Sequence, residues 1–228
     1  MRQHVELIAA VGPHWELGHK GGMPWGRIKG DMAHFVKVTT GDHKLILCGR
    51  RTWQGMPGVA QRRLGPRTCV VSRQLDDDRV FDALRATCAY RCDYVADLRK
   101  AWGQYSHMGI IGGGEVYRAA LEADVVDVIH LSVIHTCEIE VWQREAAGWG
   151  SQSWAFRGSP AWEHDVTFPA LKWEGWALAE TVRHEPDGGA RHGWTQLRLV
   201  RDPAHPALQD TTKVVGGLPL AWLGMERI

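Results

Sequence analysis

Four short apolar runs constrain this chain more than any other feature. They are VELIAAV at residues 5–11, KLILC at 44–48, TCVVS at 68–72 and MGII at 108–111. Runs this short and this continuous suit strands buried on both faces. Helical spacing falls between and after them: over Asp31–Thr40, from Gly49 through Trp53, over Tyr94–Trp102 and over Glu115–Ala123. Strands that alternate with helices are the signature of parallel βαβ units. Residues 55–66, with their Gly, Pro and Arg, read as a loop, and Asp76-Asp77-Asp78 as a solvated turn. After residue 123 the alternation stops. Val125–His135 reads as a long β-branched strand. Trp176–His184 and Trp194–Arg201 read as two more, separated by Glu185-Pro186-Asp187-Gly188-Gly189. Two closing strands joined by a turn add an antiparallel edge to a mainly parallel sheet. The expected class is therefore α/β, with the sheet flanked by helices.

A length of 228 residues favours one domain. We place it at residues 1–202. Residues 203–228, with three prolines and three glycines, read as a tail docked through Leu220, Trp222 and Leu223. A net charge of +1 makes no case for nucleic acid or a membrane surface. No run approaches the roughly 18 apolar residues of a membrane span. The N-terminal MRQHVELIAAV reads as a first strand, too short and mixed for a signal peptide. Five cysteines without a CxxC pair read as reduced thiols of a cytoplasmic protein. Cys88 and Cys92 share a helical face but lack a matching ligand pair, so no metal is expected.

Three strand ends carry the chemistry. Ile111-Gly112-Gly113-Gly114-Glu115-Val116-Tyr117 puts glycines between a strand and a helix, where backbone N–H groups can approach a phosphate. A tight turn requiring positive φ reads equally well. Tyr117 stands where the dinucleotide fingerprint would need its third glycine. Gly49-Arg50-Arg51-Thr52 puts two arginines and a hydroxyl into the first turn of a helix. The helix dipole disfavours cations there, so an anion between them and the helix makes sense of the pair; a solvated surface pair is the alternative. Ser72-Arg73 follows the third strand. One arginine after a strand is ordinary by itself; if the other two ends contact anions, the three together suit a dinucleotide pyrophosphate plus one further phosphate and favour NADPH over NADH. Asp31 lies among Ile28, Met32, Phe35 and Val38. Two readings stand for it. It either caps the start of its helix or is a buried acid whose pKa burial raises.

These residues resemble the dihydrofolate reductase family over most of residues 4–202. The matching motifs are Ile8-Ala9-Ala10, Leu17-Gly18, Met23-Pro24-Trp25, Asp31 with Phe35, Gly49-Arg50 with Thr52-Trp53, Ser72-Arg73, Ile111 through Gly114 with Val116-Tyr117, and Phe168-Pro169. The resemblance implies a central eight-stranded sheet, NADPH as hydride donor and dihydrofolate as acceptor, in support of one-carbon and thymidylate metabolism. It implies that Asp31 bonds the pterin and promotes protonation at N5, supported by Ser132. Met23, Trp25 and the glycines before them, Gly22 included, become a mobile lid over the nicotinamide. Ile8, Ala10, Ile111 and Tyr117 frame pterin and nicotinamide, and Ile28, Met32, Phe35 and Leu64 line the folate pocket. Ala10, Leu17, Gly18, Gly22, Met23, Gly49, Arg50, Arg51, Thr52, Ser72, Arg73, the Ile111–Tyr117 turn and Asp165 are the implied cofactor-side residues, with Gly112-Gly113 as the family's cis bond. Asp165 matches the acidic residue that bonds the lid backbone.

The chain departs from the family in three places. The arginine for the substrate's glutamate carboxylate is nominated as Arg67 by the pattern Leu64-Gly65-Pro66-Arg67. Counting back from Ser72 instead lands on Pro66, leaving Arg62 or Arg63 as substitutes. Residues 141–164 are an insertion rich in Trp, Gly and Ser, and the tail has no counterpart in the minimal domain. The expected protein is a cytoplasmic monomer acting on a small molecule, with the insertion or tail as a possible dimer surface. A pyrimidine reductase of riboflavin synthesis, or a noncatalytic nucleotide-binding or structural protein of the same fold, are the alternatives.

Overall fold

The computed structural model describes residues 4–41, 43–72, 90–92, 105–135, 162–169, 175–186, 192–201, 214–215 and 218–219. Its main feature is an eight-stranded sheet in the order β5-β4-β3-β6-β1-β7-β10-β9. The strands are β1 (His4–Val11), β3 (Lys44–Gly49), β4 (Thr68–Val71), β5 (Tyr90–Cys92), β6 (His107–Ile110), β7 (Val128–Ile134), β9 (Trp176–His184) and β10 (Trp194–Arg201). Strand β6 pairs parallel to β1 and to β3, and β4 pairs parallel to β3 and β5. Strand β10 runs antiparallel to both β7 and β9. The mainly parallel sheet with an antiparallel edge is thus the one expected from the apolar runs.

By its internal contacts the chain divides into two compact units, residues 1–8 with 35–127 and residues 9–34 with 128–228. The core of the first gathers Ile8, Ile46, Cys48, Trp53, Leu64, Val70 and Ile111, with Phe35, Val38 and Met56 packed against them. Leu45, Ile46, Leu47 and Cys48 are all inaccessible to solvent, which is why KLILC carries no polar alternation. The core of the second gathers Trp25, Ile28, Ile134 and Trp194, flanked by Ala10, Met23 and Trp162. Its outer strand, β9, turns polar toward its end, and Glu180 and Arg183 keep that edge solvated.

The helices are α1 (Lys29–Thr39), α2 (Arg50–Gly55), α3 (Gly58–Leu64) and α4 (Gly114–Glu122). Helix α3 and the 3₁₀ turn Gly65–Arg67 correct the expected loop at 55–66. The Pro57 carbonyl accepts from Ala60 N at 2.8 Å and Gln61 N at 3.1 Å, and buried Leu64 anchors the last turn. One apolar anchor among Gly, Pro and Arg leaves no visible periodicity. Within residues 1–202, three short strands are additional to the expected ones: β5, and the pair β2 (Glu16–Gly18) and β8 (Val166–Thr167), which run antiparallel to each other. The strand expected over Val125–His135 begins later, at Val128, because Val125 N and Asp127 N bond to Ala120 O and Val5 O instead. The expected helix Tyr94–Trp102, the turn at Asp76, Arg73 and residues 141–161 of the insertion lie outside the described residues. So does most of the expected tail, of which only the antiparallel pair β11 (Val214–Val215) and β12 (Leu218–Pro219) is described.

Candidate active site

In the second unit, Asp31 sits in the first turn of α1, two residues inside its start. It therefore does not cap the helix from outside; that reading is overturned. The carboxyl is 4% exposed. Burial raises its pKa above the ordinary carboxylate value, and a hydrogen bond with the Ser132 side chain pulls the other way. Ser132, on β7, is itself buried. Ile28 is buried one position before the helix, and its carbonyl accepts from Met32 N at 3.0 Å. Desolvation favours the protonated form of the acid, while the Ser132 hydrogen bond favours its ionised form. Such a group can both bind and protonate a basic heterocycle.

The segment before α1 is held by two turns. His19 and Gly22 exchange backbone hydrogen bonds at 2.9 Å, closing a hairpin whose central residues have positive φ, 48° at Lys20 and 81° at Gly21. Gly26 N then donates to Met23 O at 3.1 Å, folding Met23-Pro24-Trp25 into a turn that buries the Trp25 ring. The β2–β8 pair fastens the same segment, placing Gly18 against Val166, with Leu17 between its ends. Asp165 N donates to Gly18 O at 2.9 Å, and Lys20 N donates to Asp165 Oδ2 at 3.0 Å. Trp15 stacks on Phe168 at 5.7 Å. A short loop gripped at its root but exposed at Gly21 and Gly22 is suited to closing over a ligand.

In the first unit the strand ends converge. Strand β3 ends at Gly49 beside Val71 of β4, which puts Ser72 next to the start of α2. Gly49 N donates to Gly112 O at 2.7 Å, tying that start to the glycine turn after β6. A Cβ at Gly113 would lie 3.0 Å from Thr52 Oγ1, and one at Gly49 would lie 3.3 Å from Val116 Cγ2. Gly112 has φ 119°, and the Gly112–Gly113 peptide is cis, as expected. Helix α4 starts at Gly114 and carries exposed Glu115, paired to Arg118 at 2.8 Å, and buried Val116 and Tyr117. The Tyr117 hydroxyl donates to Ile8 O at 2.6 Å, beside Ile111 and the core that Phe35 and Leu64 share. Arg50 is partly buried and Arg51 exposed at the start of α2. Backbone N–H groups at two helix starts, a hydroxyl and guanidinium groups are a donor set for phosphate.

The dihydrofolate reductase family profile matches residues 4–148. The chain belongs to the dihydrofolate reductase family. A putative dihydrofolate reductase of Caenorhabditis elegans is 32% identical over 142 residues, covering 57% of this chain and 71% of that one. The dihydrofolate reductase of Mycobacterium tuberculosis is 35% identical over 117 residues, covering 51% of this chain and 64% of that one. A structure of dihydrofolate reductase from Enterococcus faecalis, complexed with NADP(H) and RAB-propyl, has the same fold. Its TM-score is 0.63 at 21% identity, over 88% of this chain and 97% of that one.

Of the arginines considered for a dihydrofolate reductase's substrate tail, Arg67 is heavily engaged. Its Nη1 donates to the backbone carbonyls of Gly41 at 2.6 Å, Lys44 at 3.2 Å and Thr39 at 3.4 Å. Arg63 reaches Thr39 Oγ1 through Nη2 at 3.3 Å, while its buried Nη1 has no hydrogen-bond partner among the described residues. Burial, and then the charge of Arg67, lower the Arg63 pKa. Arg62 is exposed. Glu16 was not foreseen at all: it is completely buried, and nothing in Trp15-Glu16-Leu17 marks it in the sequence. Trp162, at the end of the insertion, was foreseen only as one of a cluster of tryptophans; it packs against Trp25.

Proposed function

We propose that the chain reduces 7,8-dihydrofolate to 5,6,7,8-tetrahydrofolate with NADPH. The observation that carries this reading is Asp31, a carboxyl buried in the first turn of α1 and bonded to Ser132, in a chain of the dihydrofolate reductase family. Asp31 binds the amino group and ring nitrogen of the pterin and favours protonation at N5. Ser132 orients that carboxyl. The same reading assigns Ile8, Ile28, Met32, Phe35, Leu64, Ile111 and Tyr117 to the folate.

NADPH fits the residues present. The close approach of Gly113 to Thr52, and of Gly49 to Val116, leaves backbone where side chains would otherwise stand. Thr52, Arg50, Arg51, Ser72 and the N–H groups of Gly113, Gly114 and Glu115 would hold its phosphates, and Arg73 is assigned to the additional phosphate that separates NADPH from NADH. When bound, NADPH supplies the hydride that C6 of the substrate accepts. Ala10, Leu17, Gly18, Gly22, Met23 and Trp25 exclude water around the nicotinamide, with Asp165 holding the lid backbone. Arg63, backed by Arg67, takes the carboxylate of the glutamate tail. No helix among the described residues is long and apolar enough to cross a membrane. A cytoplasmic monomer belongs to the same reading.

The test mixes the protein with NADPH and dihydrofolate and follows NADPH absorbance. Oxidation that depends on dihydrofolate and is much slower with NADH is expected. A folded protein that oxidises no NADPH sinks the enzyme reading and leaves a noncatalytic nucleotide binder.

A further inference from the structure

We propose that Trp162 is a positioning residue for Trp25 and Met23, and that the Glu16 carboxylate is the acceptor that holds its indole N–H. The two side chains meet over Gly12. A Cβ added there would collide with the Glu16 carboxylate and lie 2.8 Å from Trp162 Cδ1, the atom bonded to the indole nitrogen. Glu16 Oε2 accepts from His14 N at 2.8 Å. Among the described residues, Glu16 Oε1 is buried without a hydrogen-bond partner, and so is Trp162 Nε1. An acceptor that lacks a donor thus lies beside a donor that lacks an acceptor, both removed from water, and leaving both unmade is costly. A small rotation of the carboxyl, or one bridging water, joins them.

The consequence falls on the far edge of the indole. Trp162 stands edge-on to Trp25, centroids 6.0 Å apart at 71°, and packs into the cluster that holds Met23 and Ala10. The His192 ring stands edge-on to the same indole at 4.7 Å. Fixing the Trp162 ring from Glu16 therefore fixes the wall behind Trp25. Glu16 also opens β2, the strand that fastens the loop to β8, so one carboxylate serves both the root of the loop and its wall.

The kinetic part of the test rests on the reductase reading; the spectroscopic part does not. Wild type, Trp162→Phe, Glu16→Met, Glu16→Gln and the Trp162→Phe/Glu16→Met double variant are compared in NADPH oxidation and in ¹H–¹⁵N spectra of the indole N–H groups. Trp162→Phe and Glu16→Met each lower kcat by about three- to ten-fold with KM within about two-fold, as lost positioning requires. The double variant is no slower than the slower single, and Glu16→Gln, which keeps an oxygen acceptor, recovers part of the rate. Glu16→Met shifts both the Trp162 resonance, assigned by its loss in Trp162→Phe, and that of Trp25. Losses that multiply in the double variant, or a Trp162 resonance unmoved by Glu16→Met, overturn the proposal. A wild type that oxidises no NADPH rejects the reductase reading alone, and the spectra then decide the brace.

Discussion

Asp31 works against the stability of the fold that holds it. Burial raises its pKa, so across the interval between the ordinary value near 3.8 and its folded value the unfolded chain gives up a proton that the folded chain keeps. Stability therefore falls as pH rises through that interval, and the deficit persists to neutrality. Asp31→Asn removes the penalty and keeps the shape. We expect it to raise the unfolding midpoint at pH 7 while lowering NADPH oxidation by about a hundredfold or more. The rate loss shrinks in acid, where substrate arrives already protonated. An equal loss at every pH would remove the proton-delivery role, and a lower midpoint would show that the Ser132 bond outweighs burial. Periodicity left this residue divided between cap and acid because a helix start cannot be read to within two residues from spacing alone. The turn at Met23–Gly26 and the burial of Ile28 start the helix early enough to carry Asp31 inside it.

The elements differ in how far local sequence specifies them. Strands β9 and β10 begin and end where their residue patterns do, since each is bounded by turn-forming residues. Helix α3 does not announce itself: Gln61 Nε2 bonds to Trp53 O at 2.7 Å, and Leu64 is buried by partners from elsewhere in the chain. The helix brings Arg63 beside Arg67, which spacing could not do while 55–66 read as a loop. The two arginines are expected to separate experimentally. Arg67→Ala removes charged donors from the carbonyls of Thr39, Gly41 and Lys44, where α1 ends, and costs about 1.5–3 kcal/mol in denaturant unfolding. Arg63→Ala leaves stability nearly unchanged and raises KM for dihydrofolate by about ten-fold or more, the scale of a lost charged hydrogen bond. A KM effect confined to Arg67→Ala would return the carboxylate to that residue.

At the scale of the whole molecule, His135 ties stability to pH. It follows β7, is 5% exposed, and shares a 2.7 Å hydrogen bond with Thr195 Oγ1 through Nε2. Burial first, and the charge of Arg183 second, push its pKa down to about 4, against the opposing pull of Glu185. Above about pH 6.5 the ring is neutral in both states and contributes no pH dependence. Below that, the unfolded chain takes up a proton that the folded chain refuses. Stability is therefore lost as pH falls from about 6.5 toward 4, by at most about 3 kcal/mol. Denaturant titrations between pH 7 and 4 should show this loss, and His135→Gln, which keeps a hydrogen-bonding side chain, should flatten it. A slope that survives the substitution belongs to other groups.

By itself the sequence determined the parallel sheet, its antiparallel edge and the glycine and arginine strand ends, because apolar runs, β-branched stretches and turn residues are local signals. The tertiary structure decided what depends on distant neighbours. It set the strand order that puts Gly49, Gly113 and Ser72 side by side, and the burial that raises the Asp31 pKa inside its helix. It also set the partners that occupy Arg67 and leave Arg63 a spare donor, and the meeting of Glu16 with Trp162 over Gly12. Burial and proximity are properties of residues far apart in the chain, and no local pattern encodes them.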